Sequence, residues 1–64
     1  MNAIKKARMI AGYNQSELAK KLGVSCATIS LWESGRSLPR AKRLQSVAQA
    51  LNTTAEKLLE EREM

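Results

Sequence analysis

Apolar residues recur three or four positions apart in two short central segments of the chain. This spacing places side chains on one face of a helix. The apolar pairs are Leu18 with Leu22 and Ile29 with Trp32. The pattern predicts two amphipathic helices, over residues 15–22 and about 26–34, with polar positions on their outer faces.

Capping residues stand at both ends of the two predicted helices. Asn14 followed by Glu17 has the chemistry of a capping box. Gly23 can adopt the positive φ that ends the first helix, and Ser25 can cap the second, which Gly35 ends in the same way. Because only about three residues connect the helices, they must cross steeply, as in a helix-turn-helix.

The N-terminal residues 1–11 predict another helix, with Asn2 as its N-cap. Its inward face consists of the residues at i, i+3 and i+7, namely Ile4, Ala7 and Ala11. Tyr13 follows this helix, and we expect it to pack at the edge of the core between the first two helices.

Two further helices are predicted in the C-terminal part of the chain. The fourth runs from about 41 to 51 with an inward stripe of Leu44, Val47, Ala48 and Leu51. Asn52 can take the left-handed conformation that ends it. Thr54 then caps a last helix, residues 55 to about 61, whose Leu58 and Leu59 cover the core. We expect the acidic tail, about 61–64, to be frayed.

With 64 residues, of which 44% are hydrophobic, the chain can form one domain, residues 1–64. A domain of this size buries only about 60% of the surface that its unfolded chain exposes, so all elements must share one core. No stretch alternates at the period of a strand, and phenylalanine is absent. We therefore expect an all-α fold of five short helices.

Several classes of protein are disfavoured by composition. The one cysteine, Cys26, cannot form an internal disulfide, which fits a cytoplasmic protein. Without histidine or an acidic cluster, we expect no metal site, no small-molecule cofactor and no enzymatic activity. No apolar run has the length of a membrane span or a signal peptide, so we expect no membrane partner.

Positive charge is concentrated in the first two thirds of the chain. The net charge is +5, but residues 1–43 carry nine Lys or Arg against two Glu, and residues 44–64 carry two against four. Arg40, Lys42 and Arg43 crowd the start of the fourth helix, where the helix dipole disfavours cations. This placement indicates an external anion, of which DNA phosphate is the obvious candidate. The alternative is a helical protein with ordinary solvated charges.

The segment NQSELAKKLGVS, followed by TIS, WESG and a proline, resembles the phage-repressor and Cro-like helix-turn-helix family, also called the XRE type. The resemblance extends from about Ile4 to Leu59 and is most specific over Gln15 to Gly35. It implies a compact, lambda-repressor-like domain of five helices, encoded by a bacterium or a phage. It also implies that the third helix lies in the major groove of DNA.

The resemblance implies a partly buried ion pair between Arg8 and Glu33, which would tie the first helix to the third. In the family an arginine at the first position pairs with the glutamate of the WESG segment. The alternative for Arg8 is a solvated surface charge. Lys20 and Lys21, at the end of the second helix, either contact DNA or form part of a solvated face.

Eight residues are candidates for contacts with DNA phosphates. A helix N-terminus can donate backbone amides to a phosphate. The family uses a glutamine at the start of the second helix in this way, assisted by the preceding polar residue. The candidates are Asn14, Gln15, Ser25, Ser34, Arg36, Arg40, Lys42 and Arg43.

Five residues are candidates for contacts with bases, because they lie on the outer face or the first turn of the third helix: Cys26, Ala27, Thr28, Ser30 and Leu31. Family members often carry glutamine, asparagine or arginine there, and this chain departs from that pattern. We therefore expect contacts with thymine methyl groups and some reading of DNA shape. The alternative is that Ala27 and Leu31 form a protein-binding patch.

The most strongly indicated function is sequence-specific binding of double-stranded DNA by a transcription regulator, either a repressor or a Cro-like protein. A domain this small makes few phosphate contacts, so we expect a homodimer that binds an inverted repeat. The resemblance implies a dimer surface at the fifth helix and its connection to the fourth. The alternative is an antitoxin-type protein that also binds DNA.

Overall fold

Five helices account for the regular structure of residues 2–60, the part of the chain that the computed structural model describes. They are α1 (Asn2–Ile10), α2 (Gln15–Leu22), α3 (Cys26–Ser34), α4 (Ala41–Ala50) and α5 (Ala55–Glu60). No strand occurs among these described residues. The predicted all-α fold is confirmed, and the predicted fraying of the acidic tail lies outside the described residues.

The two central helices begin and end where their capping residues predict. Asn14 Oδ1 accepts a hydrogen bond from the Glu17 amide at 2.7 Å, and Glu17 Oε1 accepts one from the Asn14 amide at 2.8 Å. Ser25 Oγ accepts one from the Thr28 amide at 3.1 Å. Gly23, with φ of 73°, turns the chain between the helices. Residues 15–34 therefore form a helix-turn-helix.

One core joins all five helices. It contains the apolar residues that the structure buries: Ala3, Ile4, Leu18, Ala19, Ile29, Trp32, Leu44, Val47, Ala48, Leu51 and Leu58. Tyr13 packs against this core in a half-buried position, as predicted. Asn52 adopts a left-handed φ of 60° after α4, and Thr54 Oγ1 accepts a hydrogen bond from the Lys57 amide at 3.2 Å.

Three details of the sequence prediction are wrong. Asn2 lies inside α1 and is not its N-cap. Ala11 is exposed because α1 ends at Ile10, so its side chain projects beyond the last helical turn. Leu59 is 40% exposed whereas Leu58 is 2% exposed. Adjacent helical residues point about 100° apart, so only one of these two leucines faces the core.

None of the helices formed by residues 2–60 is long and apolar enough to span a membrane.

Candidate nucleic-acid interface

The N-terminal ends of α2 and α3 meet at Gln15 and Cys26. The Cys26 thiol donates to Gln15 Oε1 with a donor–acceptor distance of 3.8 Å, and the Ser16 hydroxyl donates to Cys26 Sγ at 3.9 Å. Both contacts are long and weak, but they bring two helix ends together. The backbone amides in the first turn of α2 and of α3 have no partner within their own helix, except for those that donate to a capping side chain.

The ion pair that the family resemblance implies is present between α1 and α3. Arg8 Nε donates to Glu33 Oε2 at 2.6 Å, and Arg8 Nη2 donates to Glu33 Oε1 at 3.3 Å. Arg8 Nη1 donates to the carbonyl oxygen of Tyr13 at 2.9 Å. Both charged residues are only 9% exposed. One guanidinium group therefore joins α1, the chain that enters α2, and α3.

Gln15 extends this ion pair to the N-terminal end of α2. Its Nε2 donates to Glu33 Oε1 at 2.9 Å across a separation of 18 residues. Sequence reasoning missed this contact. The sequence predicts a phosphate contact for Gln15 and an ion pair for Glu33, but no local pattern shows that the Glu33 carboxylate reaches the start of α2.

The pKa of Glu33 lies below the ordinary glutamate value of about 4.5. Burial raises this pKa, but hydrogen bonds from Arg8 and Gln15 and the charges of Arg8 and Lys5 lower it by more. A carboxylate stabilised in the folded state contributes stability above its unfolded pKa. That contribution is lost as the pH falls through the folded pKa.

We therefore expect the Glu33 carboxyl group to titrate below pH 4.5. An NMR titration of the side-chain carboxyl carbon measures this directly. Urea denaturation at several pH values should show stability falling as Glu33 becomes protonated. Titration of Glu33 above pH 4.5 would contradict the assignment.

The outer face of α3 carries short side chains. Cys26, Ala27, Ser30, Leu31 and Ser34 are exposed, and Thr28 is half-buried. Leu31 is the largest of them and is 42% exposed. On the opposite face, Ile29 and Trp32 are buried in the core, as their spacing predicts.

Some polar groups on α3 have internal partners. The hydroxyl groups of Ser25 and Thr28 share a hydrogen bond of 2.9 Å. The Ser34 hydroxyl donates to the Leu31 carbonyl oxygen at 3.1 Å. These bonds fix the rotamers of three predicted contact residues, and the Ser34 oxygen, which only donates, can still accept another bond.

The backbone after α3 folds back onto its last turn. The amides of Arg36 and Ser37 both donate to the Leu31 carbonyl oxygen, at 3.1 and 3.3 Å. The Arg36 backbone therefore lies beside the end of α3. Its side chain is exposed and, like those of Arg40 and Lys42, has no hydrogen-bond or ion-pair partner among residues 2–60.

Arg43 differs from the other predicted phosphate contacts. Its Nη1 donates to the carbonyl oxygen of Leu22 at 3.0 Å, at the C-terminal end of α2. This is the opposite end of α2 from Gln15, so the structure does not bring these two candidates together.

Lys21 Nζ lies 5.7 Å from the centre of the Tyr13 ring, within the range of a cation–π contact.

Among residues 2–60 no three side chains of His, Cys, Asp or Glu lie close enough to form a metal site. Three exposed cations, Arg36, Arg40 and Lys42, have no hydrogen-bond or ion-pair partner among residues 2–60. This arrangement can attract an anion.

A three-residue turn between two capped helices, with a buried inner face and a polar outer face on the second helix, defines a helix-turn-helix domain. The family model described as helix-turn-helix matches residues 4–58 of the chain. The chain belongs to this helix-turn-helix family, and the predicted resemblance is confirmed.

Two curated relatives are similar to the chain. An uncharacterized HTH-type transcriptional regulator, YazB of Bacillus subtilis (strain 168), is 38% identical over 55 residues, which cover 86% of this chain and 80% of the relative. The 26 kDa repressor protein of Escherichia phage HK022 is 40% identical over 53 residues. That match covers 83% of this chain but 23% of the repressor.

Proposed function

We propose that this chain binds double-stranded DNA in a sequence-specific way and regulates transcription, with α3 as the recognition helix in the major groove. The observation that carries the proposal is the outer face of α3. It presents small, exposed side chains next to the N-terminal end of α2 on one side and the unpaired Arg36 on the other. The similarity to a transcriptional regulator and to a phage repressor supports it.

Phosphate contacts would hold the domain in register on the duplex. The backbone amides at the start of α2, near Gln15, and Ser25 would bind phosphates on one side of the groove. Arg36, Arg40 and Lys42 would bind on the other, since they are exposed and available to an external anion. Arg43 is a weaker candidate because its guanidinium group already binds a backbone carbonyl.

Base recognition would depend mainly on apolar contacts. Among the exposed residues of α3, Leu31 and Ala27 have no hydrogen-bonding side-chain group, and they can contact the methyl group of thymine. Ser30 can add a polar contact, and Cys26 and Thr28 lie on the first turn. The rest of the sequence preference would come from DNA shape at base pairs that the protein does not touch.

Two copies of the domain would be needed for useful affinity. In this proposal a homodimer places its two α3 helices about 34 Å apart, one turn of the duplex, on an inverted repeat. A selection from a random-sequence duplex library tests the proposal, since it should return a palindromic or near-palindromic site. Recovery of unrelated sequences at all salt concentrations would contradict sequence-specific binding.

Leu31→Ala should change which sites are preferred more than it changes non-specific binding. Loss of one thymine-methyl contact should reduce discrimination at one position of each half-site by about 0.8 kcal/mol, the usual effect of burying one methylene-sized group. Parallel selections with the parent and the variant measure this. Ile10→Ala is the matched control, because Ile10 is also an exposed apolar residue but lies on α1 and is 88% exposed. If Leu31→Ala leaves both the preferred site and the affinity unchanged, α3 is not the recognition helix.

A further inference from the structure

The carboxamide of Gln15 is held at both of its polar atoms. Its Oε1 accepts from the Cys26 thiol, and its Nε2 donates to Glu33 Oε1. A carboxamide nitrogen carries two hydrogens, so one remains free after the bond to Glu33. The side chain is half-buried, so its orientation is restricted and the free hydrogen has a defined direction.

The Glu33 carboxylate that holds Gln15 is itself held by Arg8. The guanidinium group of Arg8 binds both carboxylate oxygens and, with its third nitrogen, the Tyr13 carbonyl oxygen. Tyr13 directly precedes the cap of α2. Arg8 therefore restrains the start of α2 by two routes, through the backbone at Tyr13 and through Glu33 to the side chain of Gln15.

The same arrangement solves an electrostatic problem at the interface. A carboxylate within hydrogen-bonding distance of Gln15 would repel a phosphate bound at the start of α2. Arg8 Nε lies 2.6 Å from Glu33 Oε2 and neutralises the carboxylate. Glu33 can therefore orient Gln15 without placing an unpaired negative charge near the phosphate.

We propose that Arg8 is a positioning residue for DNA binding: through Glu33 it orients the Gln15 carboxamide so that its free N–H points to a DNA phosphate. This proposal rests on the proposed function, and it assigns to the buried ion pair a role beyond holding α1 and α3 together. Arg8 itself touches no DNA in this arrangement.

The test is a double-mutant cycle between Arg8→Lys and Gln15→Ala, measured as affinity for the duplex that the library selection returns. Arg8→Lys preserves the net charge, so long-range attraction to DNA is unchanged. A lysine ammonium group cannot bind both Glu33 oxygens and the Tyr13 carbonyl oxygen in the geometry of a guanidinium group. Circular dichroism and urea denaturation establish that each variant is folded under the binding conditions.

We expect Gln15→Ala to weaken binding by about tenfold, the usual effect of losing a charge-assisted hydrogen bond. Arg8→Lys should weaken binding by about three- to fivefold when Gln15 is present and by less than about 1.5-fold when Gln15 is already alanine. Non-additivity of this sign is the signature of Arg8 acting through Gln15.

Val47→Ala is the control for stability alone, because Val47 is fully buried in α4 and has no side-chain group that can hydrogen-bond to this network. It should lower the stability of the protein without changing the affinity of the folded protein for DNA in either background. If Val47→Ala and Arg8→Lys weaken binding alike, or if Arg8→Lys and Gln15→Ala are additive, the positioning role is wrong.

If Arg8→Lys changes the DNA affinity too little for a coupling to be measured, Glu33→Gln gives a second double-mutant cycle with Gln15→Ala. It keeps the shape of the side chain but removes the negative charge and one acceptor oxygen. The general effect of charge on DNA binding is the same with and without Gln15, so it cancels in the cycle. Coupling to Gln15→Ala supports the proposal and additivity overturns it. If the parent protein binds no duplex, the proposed function itself fails, and the positioning role fails with it.

Discussion

Glu33→Ala should lower the free energy of unfolding by about 3–5 kcal/mol, because it leaves the Arg8 guanidinium group buried without its counter-ion. A chain of 64 residues has a total stability of only about 3–10 kcal/mol. The variant should therefore lose a third or more of the stability of the parent. Replacing both residues with apolar ones of similar size, Arg8→Met with Glu33→Leu, should recover much of the loss, since no charge is then buried alone.

Urea denaturation of the parent, the single variant and the double variant measures this difference. Glu56→Ala is the matched control, because Glu56 is an exposed glutamate on α5. Its removal should change stability by less than about 0.5 kcal/mol. A loss for Glu33→Ala no larger than that of the control would show that the ion pair has little structural role.

DNA affinity should fall by about 10³-fold when the salt concentration rises from 50 to 200 mM. If a dimer neutralises roughly six phosphates, the slope of log K against log[salt] is about −5. Arg36→Ala should flatten the slope by about one unit per protomer, or about two for the dimer, and weaken binding similarly on all sequences. The reason is that Arg36 is exposed beside the end of α3 and free of internal partners.

Binding isotherms at four or more salt concentrations give the slope. Lys57→Ala is the control, since it removes an equal charge from α5, which carries none of the proposed DNA contacts. It should leave the slope close to that of the parent. A parent slope near zero would remove phosphate binding as the source of affinity, and equal changes for both variants would show that net charge alone matters.

The sequence predicts α2 and α3 to the residue because their ends depend on local chemistry. The side chains of Asn14 and Ser25 satisfy amides only three residues away, and a left-handed glycine ends each helix. Such interactions are visible in a short segment. The inward stripe of α4 was predictable for the same reason, since helical spacing alone determines which residues share a face.

The contacts that the sequence did not predict join residues far apart in the chain. Gln15 binds Glu33 across 18 residues and Arg43 binds the Leu22 carbonyl oxygen across 21. Both depend on the angle at which helices cross and on the reach of long side chains. The inward assignments of Ala11 and Leu59 were wrong for a related reason, because spacing identifies a face but not where the core ends.

For the candidate interface, the sequence predicts which residues lie on the outer face of α3, and the structure exposes four of the five candidates for base contacts, with Thr28 half-buried. The ion pair between Arg8 and Glu33 came from the family resemblance, since no local pattern requires it. Contacts with phosphates and bases stay predictions, because they depend on the position of the duplex as well as on the protein.

In the proposed function, the surface carrying Gln15, Leu31 and Arg36 binds the duplex. An NMR titration of ¹⁵N-labelled protein with the selected duplex tests it most directly, because every backbone amide except that of proline reports on its own surroundings. We expect the largest shift changes at the start of α2, along α3 and at Arg36. Large changes confined to α1 and α5, with the amides of α3 unmoved, would contradict it.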